Sequence, residues 1–257
     1  MCVIAWHWTP NQKLLLTLWA NRDEWLDRPT LPFAPWQERP DWVGGRDLKA
    51  GGAWLLIDYR RGRLAALTNM RDSSSEAAPA QRPSRGIIPI AALSEEVFSP
   101  SPGQFDRYAG FNLLLFSLQR QSAEYFSPTL SWPTALEPGV GSISNGRLTD
   151  RWPKQKRLES AIGESHGLIG SAWNEAAWSA LSDQFIPDDC ELPNTGIGLV
   201  RERELAPVFI NTESYGTRQS TVLKFWSCGK LEVWERSWSG HSKALSHHDI
   251  FWSTHQV

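Results

Sequence analysis

Cys2 follows the initiator Met1 at the head of the apolar run Val3-Ile4-Ala5-Trp6. Cysteine is small enough for the methionine before it to be removed, which would leave a thiol and a free α-amine on one residue. An α-amine titrates at about 7.7–8, so roughly a tenth of it is free base at pH 7. An unperturbed thiol, near ~8.5, holds only a few per cent thiolate there, and a base on the same residue is a direct way to activate it. The same placement suits an inert structural cysteine, because free Cys is among the most buried residue types. The rest of the chain decides between the two.

The second candidate group is Asn21-Arg22-Asp23-Glu24, at the end of the next apolar run. Four polar residues after a strand read as a solvated turn, with Arg22 and Asp23 as an ion pair. Beside a nucleophile, the same pair would tune an amine, orient a thiol or bind a carboxylate. Other centres are absent. The six histidines (His7, His166, His241, His247, His248, His255) show neither HxxxH nor HExxH spacing. No serine sits in a G-x-S-x-G elbow. The glycine pairs at 44–45 and 51–52 lack the company of a dinucleotide or phosphate loop and read as tight turns. Cys2, Cys190 and Cys228 are odd in number and carry no CxxC spacing, against a disulfide framework or zinc site. No metal or cofactor is expected.

The elements that would position these groups follow from apolar patterning. Residues 3–8 and 14–20 flank a turn at 9–12 as a hairpin, which sets residue 2 beside the end of the second strand. Residues 29–40 are proline-rich and read as irregular. A second hairpin, 54–59 with 63–68, ends at Asn69, and 72–85 reads as a loop. Helices are expected over 86–98, from Trp152-Pro153 to about 162, and over 172–185. Residues 111–118 form a central strand beside 123–126, and 139–144 run into the turn signal Asn145-Gly146. Strands are expected at 207–210, 217–226 and 230–238, with His247-His248 at an irregular end.

Strands first and last with helices between predict one antiparallel α+β domain over 1–257, both termini in one core. The composition, 41% apolar and 21% charged, supports such a core. Fifteen tryptophans serve packing, and some would line an apolar pocket. A net charge of -2 without a basic stripe gives no footprint for nucleic acid. The start lacks the charged and long apolar regions of a signal peptide, and no run of 18 apolar residues is long enough to span a membrane. A cytoplasmic location is therefore expected.

Ten motifs run in an order that resembles the NRDE family, which includes the transport-and-Golgi-organisation protein 2 group. They begin with Met1-Cys2, Asn21-Arg22-Asp23-Glu24 with Arg28-Pro29-Thr30, Gly44-Gly45-Arg46-Asp47 and Gly51-Gly52 with Trp54. Leu67-Thr68-Asn69, Ser84-Arg85-Gly86, Gly110-Phe111-Asn112-Leu113-Leu114 and Ser144-Asn145-Gly146 follow. Trp152-Pro153-Lys154 and the segment Tyr215 to Val222 complete the set. The family in turn is similar to the N-terminal nucleophile hydrolases, in the branch whose N-terminal cysteine cleaves bile-salt and penicillin amides.

That resemblance implies a four-layer αββα sandwich of mainly antiparallel sheets. It implies Cys2 as nucleophile, Arg22 and Asp23 flanking it, Asn69 and Asn145 as oxyanion donors, and Arg218 as a last site arginine. The spacing leaves open whether Asp23 or Glu24 is the acid. Two functions follow: cleavage of a non-peptide C–N amide or acyl bond, or a carrier for haem or an acyl-CoA- or lipid-like ligand, with Cys2 or His7 as haem ligand. In both, the partner is a small molecule, amphipathic and anionic.

Overall fold

The computed structural model describes residues 2–71, 82–101, 103–130, 133–239 and 245–254. Met1, most of the expected 72–85 loop, His241 and His255 lie outside the described residues.

In chain order the strands are β1 (Cys2–Trp8), β2 (Leu14–Trp25), β3 (Thr30–Trp36), β4 (Arg39–Asp47), β5 (Leu55–Asp58), β6 (Arg63–Asn69), β7 (Phe111–Ser117) and β8 (Ser122–Phe126). Then come β9 (Thr134–Ala135), β10 (Gly139–Ile143), β11 (Tyr215–Trp226), β12 (Leu231–Ser239) and β13 (Ser246–Ser253). The helices are α1 (Ile87–Ser94), α2 (Pro153–Glu164), α3 (Gly170–Leu181) and α4 (Leu199–Glu204). Two sheets result, six strands in the order β10-β1-β2-β11-β12-β13 and seven in the order β3-β4-β5-β6-β7-β8-β9. All their pairings are antiparallel.

Side-chain alternation explains the stacking. Along β1, Cys2, Ile4, Trp6 and Trp8 join Val43, Ile57, Leu64, Ala66, Leu114 and Phe116 of the second sheet in one core. Val3 and Ala5 point the other way and pack with Leu158 and Ile162 of α2 and Trp173, Ala177 and Leu181 of α3. On the far face of the second sheet, Leu56, Ala65, Leu67, Leu113 and Leu115 bury Ile88, Ala92 and Leu93 of α1. Strands buried on both faces read as unbroken apolar runs, which is how 111–118 was legible. The α+β class and the antiparallel sheets expected from the sequence are present.

Four local expectations are corrected. Asn21-Arg22-Asp23-Glu24 is no turn: β2 continues to Trp25 because β11 pairs with it that far, Tyr215 opposite Trp25. Residues 29–40 are not irregular but mostly strand; β3 is an edge strand with register shifts around Pro32 and Pro35, where proline's missing donor is tolerated. Residues 207–210 are buried but not a strand. His247 and His248 belong to β13, opposite Trp238 and Ser237 of β12. Helix α4 had no clear apolar period and was not foreseen.

Candidate functional site

The register of the first sheet assembles the site. Cys2 stands opposite Arg22, and Arg22 stands opposite Gln219 on the next strand. Because cross-strand neighbours share a face, this row of three crosses the sheet side that meets the second sheet. The Cys2 carbonyl accepts a hydrogen bond from Ser144 Oγ at 3.1 Å, and its sulfur accepts one from the backbone N–H of Asp23. Burial pushes the thiol up, and Asp23 adds to that; Arg22 and the Asp23 N–H oppose it. Cys2 is only 6% exposed, yet it lines a cleft of about 1040 Å³.

Behind the thiol lies a buried ionic group. An oxygen of Asp23 accepts from Thr217 Oγ1 at 2.7 Å, and the Tyr215 hydroxyl donates to the Asp23 carbonyl at 2.8 Å. Burial raises the Asp23 carboxyl, opposed first by Lys154. Lys154, from the first turn of α2, is buried and donates to the Leu205 carbonyl at 2.9 Å. Burial and the like charge of Arg71 lower its ammonium to about 8. Arg71 pairs with Glu202 of α4 at 2.8 Å and stacks over Trp152. Burial dominates the shift of Tyr215, whose hydroxyl is held well above its usual range.

The two asparagines meet through the backbone. Asn145 is fully buried, and its Nδ2 donates to the Asn69 carbonyl at 2.7 Å. Asn69, the last residue of β6, lines the cleft itself. The turn carrying Asn145 is fixed from below by Asn112, whose Nδ2 donates to the carbonyls of Ser144 and Gly146 and to Thr68 Oγ1. Tyr125 Oη donates to Asn112 Oδ1 at 2.7 Å. This network sets the end of β6 against the start of β1.

Cys2, Arg22, Asp23 and Asn69 are thus brought to one cleft, with Asn145 supporting Asn69 from behind. Glu24 also lines it and lies 3.7 Å from Arg22. Arg218 is placed differently. It is the extra residue of a bulge between Thr217 and Gln219. Its Nη1 donates to the carbonyls of Trp25, Leu26 and Arg28, clamping the link from β2 to β3. It faces a smaller depression with Thr30, Pro32, Trp238 and His248. His7 is away from the cleft, edge-on to His166 with ring centroids 4.8 Å apart.

The sequence did not single out Lys154, Arg71, Trp54 or Arg85 as site residues. Arg85 lines the cleft, its Nη1 donates to the Gly110 carbonyl at 2.9 Å, and its charge is felt by both Cys2 and Glu24. Three of these positions lay in motifs named above, Gly51-Gly52 with Trp54, Ser84-Arg85-Gly86 and Trp152-Pro153-Lys154; only their roles were missing. Among the described residues, no group of three His, Cys, Asp or Glu side chains could hold a metal ion. Nor is any helix long and apolar enough to cross a membrane.

Two packed antiparallel sheets, with a cysteine of the N-terminal strand lining a largely cationic cleft, define an α+β protein. The chain belongs to the Transport and Golgi organisation 2 family, whose model matches residues 1–240. It is 28% identical over 274 residues to the Transport and Golgi organization protein 2 homolog of Homo sapiens, covering 96% of each chain. It is 27% identical over 264 residues to the Transport and Golgi organization 2 homolog of Mus musculus, covering 92% of this chain and 93% of that protein. The Drosophila melanogaster protein named Transport and Golgi organization protein 2 is 27% identical over 277 residues, with 93% of each covered.

Proposed function

We propose that this protein is an N-terminal-cysteine hydrolase of a non-peptide amide or acyl bond, on an αββα sandwich of the N-terminal nucleophile type. After loss of Met1, the Cys2 α-amine takes the thiol proton as the sulfur attacks the carbonyl carbon. The proton then passes to the departing nitrogen, leaving a thioester that water hydrolyses to the acid and free thiol. Asn69 donates to the oxyanion, a contact worth about 3 kcal/mol where the geometry is good. Asn145 holds Asn69 through its carbonyl, and the Asp23 N–H steadies the sulfur. Arg22 lowers the thiol and Asp23 tunes the charge behind it. The reading rests above all on one observation: Cys2, at the start of β1, is held at both its carbonyl and its sulfur while lining the cleft.

Intact mass before and after iodoacetamide tests it. Loss of Met1 and a single fast alkylation at residue 2, absent in Cys2→Ala, are expected. A retained Met1 blocks the amine and overturns the mechanism, as does an unreactive Cys2.

The size of the cleft and its mixed cationic and apolar wall favour a second reading, a non-catalytic carrier of an amphipathic anion such as an acyl-CoA- or lipid-like molecule. Haem fits less well, because no histidine or methionine lines the cleft among the described residues and Cys2 is its one sulfur donor. Haemin titrated into wild type and Cys2→Ala checks this: equal spectra from both remove thiolate ligation.

A further inference from the structure

The cleft's cations are unevenly neutralised. Among its lining residues, Arg28 pairs with Asp47, Arg71 with Glu202 and Arg201 with Glu204. Lys49, Arg82 and Arg85 have no carboxylate within ion-pair distance among the described residues. Arg22 reaches Glu24 only at 3.7 Å, while its Nη1, on a side chain 6% exposed, has no hydrogen-bond partner there. An arginine donor without a partner, taken out of water, is costly unless something else accepts from it. The surplus charge borders the same cleft as the thiol, and the orphaned donor belongs to a residue that lines it: the charge of Arg85 acts on Cys2, and Arg22 stands opposite Cys2 in the sheet.

We infer that Arg22 and Arg85 form a carboxylate-binding subsite beside Cys2, with Lys49 and Arg82 at the rim. The substrate class is then an amide bearing a carboxylate within a few bonds of the carbonyl carbon that the sulfur attacks. This rests on the hydrolase reading and narrows it. Guanidinium groups suit the task because their planar fork matches a carboxylate. The Gly110 carbonyl occupies one Arg85 nitrogen and fixes the side chain, leaving the others to the ligand.

Iodoacetate and iodoacetamide place the same reactive carbon next to a carboxylate or a neutral amide. The ratio of their second-order rates at Cys2, read by peptide mass, therefore reports the subsite. In wild type the ratio should favour iodoacetate and fall with added salt. Arg85→Gln should cut it by about tenfold, as expected for loss of a charged hydrogen bond, and Arg85→Lys should restore part of it. A wild-type ratio at or below that of free cysteine, or one unchanged by Arg85→Gln, overturns the subsite. A second arm does without the thiol: Cys2→Ala is titrated calorimetrically with hexanoate and with hexanamide. Tighter hexanoate binding that Arg85→Gln abolishes supports the subsite even if Cys2 proves unreactive, in which case only the hydrolase reading falls. Equal or undetectable binding of the two probes overturns the subsite even if Cys2 alkylates rapidly.

Discussion

The thiol at residue 2 sits among charges that pull it in opposite directions. Burial and Asp23 hold the proton on, whereas the cations around the cleft favour thiolate. Lys154 is one of these: it is buried, and its ammonium feels the Cys2 charge. Lys154→Met removes that cation, so the thiol should titrate higher. The pH–rate profile of Cys2 alkylation by iodoacetamide reads this directly, and an unshifted midpoint would detach Lys154 from the thiol. The asparagine pair gives a second expectation. Asn145→Ala leaves the Asn69 carbonyl without its buried donor, which should cost about 1–3 kcal/mol in urea unfolding. Asn145→Asp keeps the volume but, as a carboxylate, not the donor, so a role that rests on the hydrogen bond makes it lose any turnover as Asn145→Ala does. Similar losses in both variants are therefore expected.

At the level of elements, glycine decides how close the arginine-bearing segment comes to the cleft. A Cβ on Gly52 would lie 2.5 Å from the Gly86 carbonyl carbon, inside any tolerable contact. The two segments meet there, and the Ala53 N–H donates to the Gly86 carbonyl at 2.9 Å. Gly52→Ala should push the 82–86 segment outward, costing about 1–3 kcal/mol as overpacking does. It should also lower the iodoacetate-to-iodoacetamide ratio at Cys2 although it changes no charge. An unchanged ratio would mean that Arg85 follows its Gly110 contact rather than the backbone of its own segment. The sequence showed Gly51-Gly52 and Ser84-Arg85-Gly86 as separate motifs; the approach between them is tertiary and leaves no local pattern. The same limit explains β2. Asn21, Arg22 and Asp23 look like a turn because polar residues close most strands, but here Asn21 and Asp23 find hydrogen-bond partners inside the fold. Asn21 Nδ2 donates to the carbonyls of Leu181 and Val208, and Asp23 accepts from Thr217. By contrast β1, β5 to β8 and the long helices carried their period in plain view. Arg218 was legible as a residue of interest, but its three backbone acceptors lie more than 180 residues away in sequence.

Across the whole molecule, the two sheets are joined by more than apolar packing. Glu235 on β12 of the first sheet accepts the backbone N–H of Phe33 on β3 of the second, at 2.8 Å. Its other oxygen accepts from Thr221 Oγ1 at 3.2 Å. The carboxyl is 1% exposed, and burial lifts it to about 7 despite these hydrogen bonds. A carboxyl raised in the folded state binds its proton there while the unfolded chain has already released it. Its contribution to stability is therefore fully present below about pH 4.5 and is lost as the pH rises through about 7. The difference between the two states corresponds to about 3 kcal/mol at most. Glu235→Gln keeps an acceptor for Phe33 and cannot ionise, so its stability relative to wild type should rise between pH 4.5 and 7 and level off above. Urea unfolding of both proteins at several pH values measures that difference, which cancels the titration of every other carboxylate. A difference flat across the range would mean that the carboxyl ionises as easily inside the stack as in the unfolded chain. The link between the sheets would then be held by a charge rather than by a proton.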